Sequence, residues 1–175
     1  SSWAKFYNKY SKKFAEKSNR VATVSEYSKK DIINTYGISP EKIDVVFNGV
    51  KDNFHPAEPE KIKALTKNQK YFFYIGSLHP RKNIINLLKG FNQFKNNSNN
   101  GVKLVIGGDF LFQPNEIKSV LHALEHKDQI IFTGRLTDEE LNTWLSGALA
   151  LTYIPYFEGF ENMFFFYLVS VIIGL

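Results

Sequence analysis

The chain has 175 residues, a net charge of +5, 43% hydrophobic residues and no cysteine. That length suits one ordinary domain or pieces of two, with enough apolar residues to bury a core. The lack of cysteine excludes disulfides and thiolate metal sites, four scattered histidines argue against a zinc centre, and "SSWAKFYNKY" does not read as a secretory signal.

In chain order, residues 2–18 read as an amphipathic helix, with Trp3, Phe6, Tyr7, Tyr10 and Phe14 at helical spacing and lysines between them. Residues 1–31 carry eight Lys or Arg against three acidic residues, so the whole net charge sits there. This suits an anionic neighbour such as a membrane surface or nucleic acid, or simply a solvated helix face. "RVATVS" is a short strand. Ser25 caps a helix over "EYSKKDIINTYG" that Gly37 ends. "KIDVVFNGV" is a strand closed by an Asn-Gly turn, and the polar, proline-containing "KDNFHPAEPEKIKALTKNQ" is a linker followed by a short helix.

From Tyr71 the pattern alternates. Strands at Tyr71–Ile75, "VKLVIGG", "QIIFTG" and "ALALTYIPY" are separated by helices over about Asn83–Lys95, "PNEIKSVLHALEH" and "LTDEELNTWLSG". The last helix opens with a capping box, Thr137 with Glu140. Apolar strands joined by amphipathic helices imply a parallel α/β sheet covered on both faces, with ligands at the carboxyl ends of its strands. The chain closes on "MFFFYLVSVIIGL", thirteen nearly all-apolar residues. That is too short to cross ~30 Å of hydrocarbon, which takes about 20 residues, and it reads as a buried element.

Every strand end carries a candidate: Gly76 with Arg81 and Lys82, Gly107-Gly108, Gly134-Arg135, and Glu158-Gly159-Phe160. Glycine allows close approach of a ligand to the backbone. Cations at a helix N-terminus oppose the helix dipole, and become favourable where an anion such as a diphosphate binds there. The spacing also fits two exposed basic side chains beside a turn. His79 in the same loop fits either a phosphate contact or a plain turn residue. His122, Glu125 and His126 lie at i, i+3 and i+4 but lack a further ligand, which favours an exposed helix end over a metal site.

Five blocks resemble, in order and spacing, glycosyltransferase family 4: "VATVSEYSKKDIINTYGISPEKIDVVFNGV", "YFFYIGSLHPRKNIINLLKGF", "LVIGG", "IIFTGRLTDEELNTWLSGALA" and "YFEGF". Family members are retaining enzymes of GT-B architecture that use nucleotide-sugar donors, and the "GSLHPRKN" loop is similar to mannosyltransferase-type members. The resemblance implies that residues 1–45 end an acceptor-binding domain, 46–67 form an interdomain linker, and 68–175 begin a Rossmann-like donor-binding domain. It further implies that Arg81 and Lys82 hold the donor diphosphate beside Gly76 and Ser77. Gly134 and Arg135 would lie beside the base, Glu158 would face the donor sugar, and Gly159 and Phe160 would meet sugar and phosphate through the backbone. Without a D-x-D motif, no metal or other cofactor is expected.

The implied partners are a nucleotide-diphosphate sugar and a glycan or lipid-linked acceptor, in the cytoplasm or at the membrane surface, with no nucleic acid. The sequence departs from the family at three places. Ser77 replaces a common arginine, Glu161 replaces a glycine, and Phe166 replaces the second glutamate of an E-x7-E pair. After Phe160 the match ends, as a shifted reading frame would make it, and the chain reads as truncated at both ends and inactive alone. Two other readings stand beside this one: a nucleotide-sugar binding module without transfer activity, and a basic membrane-adherent fragment.

Overall fold

A computed structural model describes residues 2–49, 54–98, 100–109 and 114–156. The chain divides near residue 50 into two compact units.

In the first unit, helix α1 (Ser2–Lys17) leads into strand β1 (Val21–Thr23), helix α2 (Glu26–Tyr36) and strand β2 (Ile43–Val45). The two strands pair in parallel, Val21 opposite Ile43. The α2 signals hold as read: Ser25 Oγ accepts from the Ser28 N–H, and Gly37 closes the helix at φ +70°. Arg20 ties the strands by gripping the Asp44 carboxylate with two nitrogens, and Lys29 Nζ donates to the Ile43 carbonyl at 2.8 Å. Along α1 the aromatic residues stack on one another, Phe6 on Tyr10 at 4.8 Å and Tyr10 on Phe14 at 6.1 Å between ring centres. Phe6, Tyr7 and Phe14 are 42%, 56% and 53% exposed.

The second unit is the α/β fold read from the alternating pattern. Helix α3 (Pro59–Thr66) precedes β3 (Tyr71–Ile75), α4 (Ile84–Asn96), β4 (Lys103–Gly107), α5 (Pro114–Ala123), β5 (Ile130–Gly134), α6 (Asp138–Gly147) and β6 (Ala150–Leu151). The four strands form one all-parallel sheet in the order β5-β4-β3-β6. The period-two alternation of the strands sorts their side chains onto two faces. Tyr74, Leu104, Ile106 and Ile130 pack with Leu87, Leu88 and Phe91 of α4 and Ile117 of α5. Tyr71, Phe73 and Val105 pack with Trp144 and Leu145 of α6. Fully buried side chains such as Leu88 and Phe73 each contribute about 1.5–3 kcal/mol of burial, enough in sum to fix the sheet between its helices.

Tyr71 is fully buried and donates its hydroxyl to the Trp144 carbonyl at 2.7 Å. Burial pushes its phenol pKa up. Gly147 makes room for this contact, because a side-chain carbon there would lie 2.7 Å from Tyr71 Oη and 2.6 Å from Ile62 of α3. The α6 capping box is present in full. Thr137 Oγ1 accepts from the Glu140 N–H, and Glu140 accepts from the Thr137 N–H at 2.8 Å.

Two elements are shorter than the sequence suggests. The helix read over 114–126 ends at Ala123, and the strand read over 148–156 pairs only at Ala150–Leu151. The apolar tail from Met163 lies outside the described residues.

Candidate functional site

The strand order locates the site. Chain growth runs from β3 outward through β4 to β5, then returns to the opposite side of β3 as β6. In open α/β sheets ligands bind outside the carboxyl ends of the strands at such a switch point.

A row of glycines forms the floor. The Gly76 N–H donates to the Gly107 carbonyl at 3.0 Å, and the Gly108 N–H donates to the Gly134 carbonyl at 2.8 Å. Gly108 has φ +125°, and a side-chain carbon on it would overlap the Gly76 carbonyl oxygen. The backbones after β3 and β4 therefore converge more closely at this end than a side chain would permit. This row joins the predicted residues Gly76 and Gly134. Ser77, next along, is partly buried and accepts at its carbonyl from Tyr74 Oη at 3.3 Å.

The predicted cations occupy a separate turn. Pro80–Lys82 form a single 3-10 turn, and α4 begins only at Ile84. Arg81 and Lys82 thus precede the helix rather than load its first turn, which answers the dipole objection raised by the sequence. His79 Nδ1 accepts from the Arg81 N–H at 3.2 Å, so this histidine shapes the turn. Asn83 adopts the left-handed conformation (φ +60°) between turn and helix. Its side chain does not cap α4; its Nδ2 donates to the Ile154 carbonyl at 3.0 Å.

Among the described residues, hydrogen bonds join this loop and the start of α4 to the segment after β6. Besides the Asn83 bond, the Tyr156 N–H donates to the Arg81 carbonyl at 2.9 Å, and Asn86 Nδ2 donates to Tyr156 Oη at 3.0 Å. Another is between side chains, Lys82 Nζ to Tyr153 Oη at 2.6 Å, with the ammonium 5.0 Å from the ring centre. Lys82 is half-buried and held, whereas Arg81 is exposed. A cavity of about 170 Å³ adjoins the loop, lined in part by His79, Asn83, Ile85, Glu116 and Tyr156.

Arg135 is exposed, just before the capped start of α6, and its guanidinium makes no hydrogen bond or ion pair among the described residues. Glu158, Gly159 and Phe160 lie outside the described residues. The sequence did not single out Asn83, Asn86, Tyr153 or Tyr156, and the only local signal was an unusual density of aromatic and amide side chains around the two loops. The His122/His126 pair dissolves, because α5 stops at Ala123 and His126 Nε2 sits 2.8 Å from Asn96 Oδ1 of α4.

Comparison with known proteins agrees with the parallel α/β fold. Residues 57–160 match the family "Glycosyl transferases group 1", and residues 1–54 match "Glycosyltransferase Family 4". The O-antigen chain mannosyltransferase RfbU of Salmonella typhimurium is 29% identical over 145 residues, which cover 83% of this chain and 38% of the relative. The O-antigen chain mannosyltransferase B of Escherichia coli is 25% identical over 145 residues, covering 80% of this chain and 38% of the relative. Among solved structures, Anabaena Alr3699/HepE in complex with UDP-glucose superposes with a TM-score of 0.76 at 18% identity, covering 87% of this chain and 43% of that one. WaaG, a glycosyltransferase involved in lipopolysaccharide biosynthesis, gives 0.73 at 12% identity, covering 86% and 42%. The chain spans about 38% of the length of the curated relatives it matches. The fold is that of GT-B glycosyltransferases, and the chain belongs to the group 1 glycosyl transferases.

Proposed function

We propose that this chain carries the donor site of a retaining glycosyltransferase that moves a hexose from a nucleotide sugar to a glycan or lipid-linked acceptor. The observation that carries the reading is Lys82, a half-buried cation in the turn after β3, held by Tyr153 from the segment after β6. The likeness to two O-antigen mannosyltransferases supports mannose as the sugar.

Departure of a nucleoside diphosphate builds negative charge on the leaving oxygens, and fixed cations that need no rearrangement stabilise that charge. Lys82 takes this role, with Arg81 as the outer, solvated cation. The open glycine backbone at Gly76 and Ser77 admits the diphosphate, and Gly134 and Arg135 lie to the base side. Glu158 with Gly159 and Phe160 would hold the sugar. Residues 1–45 belong to the acceptor-binding part, 46–67 to the connection, and 68–175 to the donor part. This chain by itself is read as inactive in transfer; it spans about 38% of the length of its relatives.

Calorimetric titration with GDP- and UDP-sugars tests the reading. Binding that Lys82→Ala abolishes is expected; a wild-type chain that binds neither at millimolar concentration refutes it, and turnover by this chain alone refutes the inactivity.

A second reading concerns location. The exposed Phe6, Tyr7 and Phe14 of α1, with lysines among them, suit peripheral attachment to an anionic membrane surface. Among the described residues no helix is long and apolar enough to cross a membrane.

A further inference from the structure

We propose that Tyr153 is a positioning residue for Lys82: its hydroxyl holds the ammonium in place for an anion at the switch point. The inference rests on the donor-site reading above and adds a residue to it.

Three aromatic and cationic groups meet here. Tyr74, fully buried in β3, lies parallel to Tyr153 after β6, with ring centres 6.5 Å apart at 22°. Lys82 donates to the Tyr153 oxygen at 2.6 Å, with the ammonium 5.0 Å from the ring centre. Tyr153 therefore meets the ammonium at its hydroxyl edge, through a charge-assisted hydrogen bond. The stack is anchored at its far end by Tyr74 Oη, which donates to the Ser77 carbonyl.

The chemistry of the pair suits an anion site. A lysine ammonium has three donors, so a bond to Tyr153 does not by its nature exclude an anion contact at the same nitrogen. The phenol oxygen accepts from Lys82 through a lone pair. A free lysine side chain loses rotamer entropy when an anion fixes it. A lysine already held by Tyr153 has lost much of that freedom before the anion arrives, which raises affinity by preorganisation. The position is also well chosen mechanically. Tyr153 lies two residues beyond β6, so its backbone is set by the Thr152 N–H bond to the Phe73 carbonyl at 2.7 Å.

The test is a double-mutant cycle on the full chain, read as affinity for GDP, UDP and pyrophosphate. Tyr153→Phe keeps the ring and its packing and removes only the hydroxyl. It should weaken nucleoside-diphosphate binding about three- to tenfold, the range of one hydrogen bond. In a Lys82→Met background the same change should have no effect, which a merely structural tyrosine would not produce. A second measurement needs no ligand. The Lys82 ammonium protons should exchange slowly in the NMR spectrum of the wild-type chain and faster in Tyr153→Phe. Equal affinity of wild type and Tyr153→Phe, or equal losses with and without Lys82, overturns the inference while leaving the donor site intact. If the wild type binds none of the three probes although the ammonium signal is protected, the donor-site reading falls and takes the anion role of Tyr153 with it. An unprotected ammonium in the wild type overturns the positioning itself.

Discussion

Gly108 and Gly76 meet backbone to backbone: a side-chain carbon on Gly108 would overlap the Gly76 carbonyl oxygen. The contact sets how closely the backbones after β3 and β4 converge. Gly108→Ala must push those strands apart and hold alanine at φ +125°. It should lower stability by roughly 3 kcal/mol or more. Gly90, in the middle of α4 with nothing within 4 Å of an added carbon, is the contrast. Gly90→Ala should raise stability by about 0.5–1 kcal/mol. Urea unfolding of both variants checks the pair.

Lys82 and Arg81 should differ in kind. Lys82 is half-buried and held, so Lys82→Met should weaken GDP or UDP binding by at least about tenfold, or ~1.4 kcal/mol. Arg81 is exposed, so Arg81→Gln should cost about threefold and the loss should shrink with added salt. Titrations at low and high ionic strength separate the two. Equal, salt-independent losses would contradict the division of labour.

The capping box of α6 gives a pH signature. The Thr137 N–H and hydroxyl hold the Glu140 carboxyl below the usual carboxylate range. A depressed pKa in the folded state means that its stabilisation is present above the unfolded pKa, about 4.3. It is lost as pH falls through the lower, folded value. Arg20 acts on Asp44 in the same direction in the first unit. Thermal midpoints should therefore fall as the solution is acidified below about pH 4. Glu140→Gln should flatten part of that slope, and Thr137→Ala should cost about 1 kcal/mol at neutral pH.

Much of this architecture was legible because the signals were local. Ser25, Gly37, Thr137 and Glu140 act within four residues of themselves, and the alternation of Tyr71–Ile75 assigns faces without knowledge of the partner. The misread ends have distant causes. The strand read to Tyr156 stops at Leu151 because Tyr153, Ile154 and Tyr156 bond to a loop some 70 residues earlier. The helix read to His126 stops at Ala123, and the His126 N–H goes to the Asn92 side chain of α4. No periodicity encodes such partners. Arg81 and Lys82 were singled out from charge, but the tyrosine that holds Lys82 was invisible until the sheet order placed β6 beside β3.

The α1 aromatic face makes a prediction about surfaces. Sedimentation with vesicles rich in anionic lipid should carry the chain down, and neutral vesicles should leave it in solution. Phe6→Ser with Phe14→Ser should abolish the effect, as should high salt if the lysines act with the rings. Equal sedimentation with both lipids would contradict the reading.

The pairing of β3 with β6 also dictates a schedule for synthesis. One side of β3 finds its partner β4 about 30 residues later, but the other side waits for Ala150 and Leu151. Until the ribosome has delivered them, "YFFYI" presents a bare row of amide and carbonyl groups bearing aromatic side chains, a template for pairing with another nascent chain. Any shortened product that stops before Ala150 keeps that edge open, and should collect in inclusion bodies where the longer chain does not.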